Sequence, residues 1–308
     1  MVRKLDTPNP SSPRNVHIYD DDGHIIGGLW QNGCIINSMF YEMCRVFITN
    51  EEFTLFRLTK DGSTDAKLFP NRNALQAGSY VVLSAIQITP DSAQRRITTK
   101  GQSMKLSSRT KSFHDRVIAR DDQCVISGTP HPKDEAPTSF STCHIFPFAR
   151  ERTWVEKGMA RFITDEEHPA RENDTKIHSV QNGLLLRDDI HSSFDAYALT
   201  VNVDEGYKVV CLTRDHVNVD GRRLALCCRD PQNPLRVPDE LLRWHHREAI
   251  LASMKGAGEK PWDMHYSEGG DIMQEIREGP DAVERMEAEL FTRLGPGEFR
   301  MSPEVTSQ

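Results

Sequence analysis

Two side chains that can bind a divalent cation, His191 and Asp195, lie four residues apart. Asp188, with Asp189 beside it, is a credible N-cap, so the segment that follows is predicted to begin a helix. Positions i and i+4 share one face of a helix, so the imidazole and the carboxylate could bind one cation together. The alternative is a surface carboxylate at Asp195 that pairs with a neighbouring arginine.

Elements that would position this helix precede it in the chain. Cys143-His144-Ile145 ends an apolar-leaning run, and Asn182-Gly183 forms a turn that feeds the short strand of residues 184–186. The resulting order is a strand ending in histidine, a turn with asparagine, a strand, and a helix with a His-x3-Asp pair. This is the order of the ββα-metal nuclease hairpin.

The ordered set resembles an HNH endonuclease of the fungal-type branch. The resemblance covers roughly residues 115–215, including residues 120–128, and the helix of residues 241–259 resembles the tail common in fungal proteins of this kind. It implies an α+β fold with a ββα-metal nuclease domain. It also implies metal-dependent hydrolysis of phosphodiester bonds, with DNA as the partner.

The resemblance further implies a role for each matching residue. His144 corresponds to the general base that takes a proton from the attacking water, for which a neutral imidazole is suited. Asn182 corresponds to the residue that holds the loop and orients the base. His191 corresponds to a ligand of a divalent metal ion (Mg, Mn or Zn), and Asp195 stands where many relatives have a second ligand. The cation would stabilise charge on the phosphate and on the leaving oxygen.

Cys143 departs from the pattern, because many HNH proteins carry Asp, Glu or His immediately before the base as a metal ligand. A thiolate binds zinc well but magnesium poorly. Cys143 is therefore either a zinc-preferring ligand or a small core residue. The seven cysteines form no CxxC pair, which is typical of reduced thiols inside the cell. Cys124 lacks companion cysteines, so no structural zinc is expected.

Composition bounds the class of protein. The 308 residues suffice for about two domains, and 37% hydrophobic with 27% charged residues excludes a fully disordered chain. The net charge of −7 argues against a whole-surface polyanion binder but allows a local nucleic-acid site. Neither a membrane-length apolar run nor a signal-peptide core is present, so we expect an intracellular protein of the nucleus or cytoplasm that does not contact membranes.

The order of elements before the nuclease-like region predicts a separate module. A strand hairpin with Asp-Gly in its turn covers residues 16–30, a helix capped by Asn37 or Ser38 follows, and further strands cover residues 53–58 and 79–83. This order resembles a small β-grasp domain. We predict five segments: a flexible arm (1–14), a β-grasp-like N-terminal domain (15–90), a basic linker (91–112), an HNH nuclease domain with a C-terminal helix (113–260) and an acidic helical tail (261–308).

Basic residues on either side of the motif are candidates for contacts with phosphate groups. They are Arg109, Lys111, Arg116, Arg150 and Arg152. The alternative for the basic stretch before the motif is a solvated linker. The alternative for the insertion that contains Arg150 and Arg152 is a surface loop without a role in binding. The rival to an enzyme is an HNH scaffold that has lost cleavage and acts as a binding or signalling protein, and the N-terminal module could recruit a protein partner.

Overall fold

The computed structural model describes residues 4–8, 13–83, 86–93, 108–132, 139–166 and 175–256, with only the backbone of residues 108–110. These residues lie in one compact unit, made of Met1–Arg96 and Lys105–Pro261. The fold is mixed α+β with small sheets, in agreement with the predicted class. The acidic helical tail and most of the basic linker lie outside the described residues. No described helix is long and apolar enough to cross a membrane.

The N-terminal part is a five-stranded sheet in the order β2-β1-β5-β3-β4. The central strands β1 and β5 run parallel, and the other pairs run antiparallel. The predicted hairpin is confirmed, whereas strand β4 was not predicted. The elements are β1 (Val16–Tyr19), β2 (Ile25–Leu29), α1 (Asn37–Cys44), β3 (Leu55–Leu58), β4 (Thr64–Lys67) and β5 (Gly78–Val82).

Helix α1 packs on this sheet through the apolar positions that the sequence indicates. Met39, Phe40 and Met43 are buried. The predicted cap is wrong, because the helix begins at Asn37, after Ile36, without a side-chain cap. The Asn37 amide instead donates a hydrogen bond to Asn71 Oδ1, at 3.0 Å.

The second part of the unit contains the predicted hairpin and helix. Strands β6 and β7 pair antiparallel, with His144 opposite Gly183, and α4 follows β7 without a loop. The elements are α2 (Ser108–Asp121), β6 (Phe140–His144), α3 (Glu151–Glu156), β7 (Gly183–Arg187), α4 (Asp188–Asp195), β8 (Leu199–Asn202), β9 (Lys208–Cys211) and α5 (Asp239–Ser253).

A buried ion pair at the end of α2 fixes the hairpin. Arg120 Nε lies 2.7 Å from Asp121 Oδ1, and the two side chains are 1% and 0% exposed. Arg120 also donates to the Gly183 carbonyl, and Asp121 accepts the Leu185 N–H. Since a buried charge is tolerated only when it is paired and hydrogen-bonded, these contacts fix the position of β7 relative to α2.

Helix α5 contacts both parts of the unit. Its buried His245 stacks on Phe194 of α4 with ring centroids 3.6 Å apart, and its Nε2–H donates to the Phe194 carbonyl. At the helix end, the Met254 carbonyl accepts the N–H of Gly28 on β2. His245 is therefore a packing residue of α5, and the C-terminal end of this helix covers the outer edge of β2.

Candidate metal centre and active site

The side chains of Cys143, His191 and Asp195 converge between β6 and α4. One ligand atom of each residue lies within 4.8 Å of the others. His191 Nε2 is 3.0 Å from Asp195 Oδ2, and Cys143 Sγ is 3.6 Å from Asp195 Oδ1. The structure therefore brings together the two residues predicted from their spacing and the cysteine whose role was left open.

Ser141, which the sequence analysis missed, orients the His191 ring. Its hydroxyl donates to Asp188 Oδ1 at 2.7 Å, so it accepts the Nδ1–H of His191, also at 2.7 Å. The other ring nitrogen, Nε2, therefore faces Asp195 and Cys143 and is the atom that would bind a metal ion. Strand alternation places Ser141 on the same face of β6 as Cys143, which is the signal that could have found it.

The predicted N-cap role of Asp188 is wrong. Helix α4 begins at Asp188 itself, after Arg187, and has no side-chain cap. The Asp188 carboxylate accepts the Ser141 hydroxyl instead. The helix nevertheless spans the predicted residues, so His191 and Asp195 share one face as the i,i+4 spacing requires.

The cluster favours a positive charge. Burial acts to lower the pKa of His191, but its electrostatic interactions and hydrogen bonds with Cys143 and Asp195 raise it to about 11. The His191 and Asp195 side chains are 25% and 21% exposed, and Cys143 is fully buried. Because the surroundings stabilise the positively charged form of His191, the site is electrostatically suited to bind a metal cation.

The donor set fits a divalent metal ion. One thiol sulfur, one imidazole nitrogen and one carboxylate are the ligands of zinc sites that leave a position open, and the thiol disfavours magnesium. Two other donor groups lie in the described residues: half-buried Asp20 with exposed Asp22 and His24, and Asp121 with Cys227 and Cys228. Arg120 already binds the carboxylate of Asp121.

The His144 imidazole lies on the other face of β6, between aromatic rings. It stacks on Phe113 of α2 with centroids 4.1 Å apart and planes 10° from parallel. Its Nε2 lies 3.2 Å from Nδ1 of His178. Neither Phe113 nor His178 was assigned a role from the sequence, because the chain positions give no sign that they meet His144.

Asn182 holds the segments on either side of the site. Its Oδ1 accepts the Phe146 N–H at 2.9 Å, and its Nδ2 donates to the carbonyls of Phe146 and Ile177 at 3.0 and 2.9 Å. The side chain is fully buried. Its amide thus joins the residues after His144 to the residue before His178.

Residues 124–202 match a family model described as HNH endonuclease. The match contains His144, Asn182 and His191 in the predicted order. This segment of the chain is an HNH domain. Residues 13–89 match a second model, described as a domain of unknown function. No curated protein and no solved structure matches the chain.

The predicted phosphate-binding residues around the HNH domain differ in their surroundings. Lys111 is exposed, and Arg150 is half-buried. Arg152 is 83% exposed and lies 2.9 Å from Glu156. Arg116 makes two hydrogen bonds to the buried carboxylate of Asp165, at 2.8 and 2.7 Å. The side chain of Arg109 lies outside the described residues.

Replacing Gly183 by alanine should weaken both the fold and the site. An added Cβ would lie 2.5 Å from Val117 Cγ2 and 2.7 Å from Phe113 Cε2, closer than real Cβ contacts. Phe113, which stacks on His144, must then shift. We expect a stability loss of about 1–3 kcal/mol, measured by urea unfolding. An unchanged unfolding midpoint would show that α2 does not pack this closely on β7.

Cys143→Ser separates the two roles left open for the thiol. If Cys143 binds metal, zinc affinity should fall by at least about tenfold while manganese binding changes little, because the hydroxyl is a harder and weaker ligand for zinc. If it only packs, both affinities should stay the same. Calorimetric titration of each metal into both proteins distinguishes these outcomes.

Metal affinity should rise with pH across the neutral range. With a pKa of about 11, His191 carries a proton in the metal-free protein, and a metal must displace that proton. One released proton gives up to about tenfold in affinity per pH unit. Zinc titrations at pH 6, 7 and 8 test the sign, and a pH-independent dissociation constant would exclude His191 as a ligand.

Proposed function

We propose that the chain is a metal-dependent HNH endonuclease that hydrolyses DNA phosphodiester bonds. One observation carries the proposal: the donor set of Cys143, His191 and Asp195 lies against the strand that ends at His144. A divalent metal centre that stabilises charge and an imidazole that accepts a proton are the two groups that hydrolysis of a phosphodiester uses, and here Cys143 and His144 are consecutive residues of β6. The match to the HNH endonuclease family supports the same reading.

The roles of the residues follow from their contacts. Cys143, His191 and Asp195 would hold the cation, and Ser141 fixes the ring of His191. A bound divalent cation would stabilise negative charge on the phosphate and on the leaving oxygen. His144 takes the proton of the attacking water, while Asn182 keeps the loop after β6 in place. We propose the ββα-metal arrangement for β6, β7 and α4, because the two strands pair antiparallel and α4 follows β7 without a loop.

The DNA backbone would be bound by basic side chains near the hairpin. Lys111, Arg150 and Arg152 are the candidates with surface access. Arg116 is held by Asp165, so we propose that it stabilises the domain in addition to any phosphate contact. Replacing a phosphate-binding cation weakens binding to all sequences alike and reduces the salt dependence of affinity, which a titration at several salt concentrations measures.

For the N-terminal part we propose a β-grasp-type domain that binds a protein partner. The strand order with parallel central strands and one helix after the first hairpin supports the fold. All four residues of the edge strand β4 are exposed, which supports a binding role, since a partner strand can add to such an edge.

Plasmid nicking tests the nuclease proposal directly. The full chain is incubated with supercoiled plasmid and magnesium, manganese, zinc or no metal, and His144→Ala is the matched negative control. Cleavage by the wild type that requires metal and is lost in the variant supports the proposal. Binding of DNA without cleavage under every metal condition would favour the rival, an HNH scaffold that binds without cutting.

A further inference from the structure

His178 is one of three rings that surround the proposed base His144, and the other two belong to Phe113 and Phe148. The ring centroid of His178 is 4.3 Å from that of Phe148 and 5.2 Å from that of His144, which stacks on Phe113. The Nδ1 atom of His178 lies 3.2 Å from His144 Nε2, within hydrogen-bond distance. Two half-buried imidazoles in this geometry share one hydrogen, since one ring must donate and the other must accept.

The direction of this hydrogen bond decides whether His144 can act as a base. A neutral imidazole carries one N–H and one lone pair. If His178 donated, the Nε2 lone pair of His144 would be occupied and its Nδ1 would carry the proton, leaving no atom to accept another. If His144 Nε2–H donates to His178 Nδ1, the basic lone pair lies on His144 Nδ1. Only the second arrangement is compatible with proton abstraction.

We infer that His178 is a positioning residue, which accepts the Nε2–H of His144 and thereby holds the base in the tautomer with a basic Nδ1. The inference rests on the proposed nuclease function. In this role His178 acts through its hydrogen bond to His144. This is the logic by which a third group orients the histidine of a catalytic triad.

The loop that carries His178 is anchored on both sides, as a positioning role requires. Before it, the Ile177 carbonyl accepts the amide of Asn182. After it, the fully buried Ser179 donates its hydroxyl to Asp165 at 2.8 Å. Asp165 is in turn fixed by Arg116. The position of the His178 ring is therefore set by the domain core rather than by a surface loop.

Two substitutions at His178 test the inference through cleavage kinetics. Asparagine places its Oδ1 where the histidine has Nδ1, so His178→Asn keeps an acceptor, whereas His178→Leu keeps bulk and removes it. We expect kcat to fall by at least about tenfold in His178→Leu with KM within about twofold, and to stay within about threefold of wild type in His178→Asn. Equal losses in both variants, or none in His178→Leu, would overturn the inference.

A spectroscopic measurement tests the tautomer without relying on activity. Nitrogen-15 chemical shifts of the histidine rings in the metal-free full chain, at a pH where His144 is neutral, report which nitrogen carries the proton. We expect Nε2–H in wild type and in His178→Asn, and a mixture in His178→Leu. A proton on His144 Nδ1 in wild type would refute the inference. If the wild type cuts no DNA, the nuclease proposal fails, and this measurement alone decides the role of His178.

Discussion

His144→Ala should reduce DNA cleavage by about 10²- to 10⁴-fold, the usual contribution of a general base. The imidazole is half-buried at the end of β6 and is not part of the donor cluster of Cys143, His191 and Asp195. Its loss should therefore leave metal affinity within about twofold and the fold intact. Nicking rates under saturating metal, together with calorimetric metal titration, measure both quantities.

His114→Ala is the matched control for this substitution. His114 lies on α2, and its Nδ1 is 3.1 Å from Thr142 Oγ1 on the same strand as His144. The substitution His114→Ala removes a half-buried imidazole from the same side of the hairpin and leaves the proposed base, His144, unchanged. If both variants lose the same activity, the effect belongs to the packing of α2 on β6, and the base assignment is refuted.

His191→Ala and Asp195→Ala should each lower manganese affinity by at least about tenfold, and the double variant should lose little more than the single ones. The two donor atoms are 3.0 Å apart on one face of α4. Once one ligand is gone, the site no longer holds the cation well, so the second loss has little left to remove. Residues that act as one unit are strongly non-additive in this way.

The group of Asp20, Asp22 and His24 in the β1–β2 turn provides the control. His24→Ala removes an imidazole that is 67% exposed and lies 3.4 Å from Asp20, in a second group of histidine and carboxylate side chains. Its manganese affinity should equal that of wild type. Two results would contradict a shared site: strictly additive losses at His191 and Asp195, or full metal affinity in Asp195→Ala. Asp195 would then only form an ion pair. A solvent-accessible ion pair contributes at most about 1 kcal/mol to the free energy of unfolding.

The parts of the fold that depend on local signals could be predicted from the sequence. The Asp-Gly turn predicts the hairpin of β1 and β2, which the structure contains. The i,i+4 spacing that placed His191 and Asp195 on one helix face is also local. Strand β4 was missed because all four of its residues are exposed, so it has no alternation of buried and exposed positions to detect.

Contacts made across the fold could not be predicted in the same way. Arg116 looks like a surface cation in the sequence, yet it pairs with Asp165, 49 residues away. His178 lies in a segment without periodicity, and only the folded chain brings it to His144. The Asp188 cap was wrong for a related reason, because the Ser141 hydroxyl on a neighbouring strand occupies that carboxylate.

The pairing of β2 with the end of α5 has a consequence for how the protein is made. Arg14, just before β1, donates to the carbonyl of Gly256, 242 residues later. On the ribosome, the edge of β2 therefore stays bare until nearly all of this unit has been synthesised. Bare edges pair readily with other chains, and contacts this distant form slowly. A chain cut short before Met254 would keep every residue of the site, so aggregation during biosynthesis, rather than lost chemistry, would be its first defect.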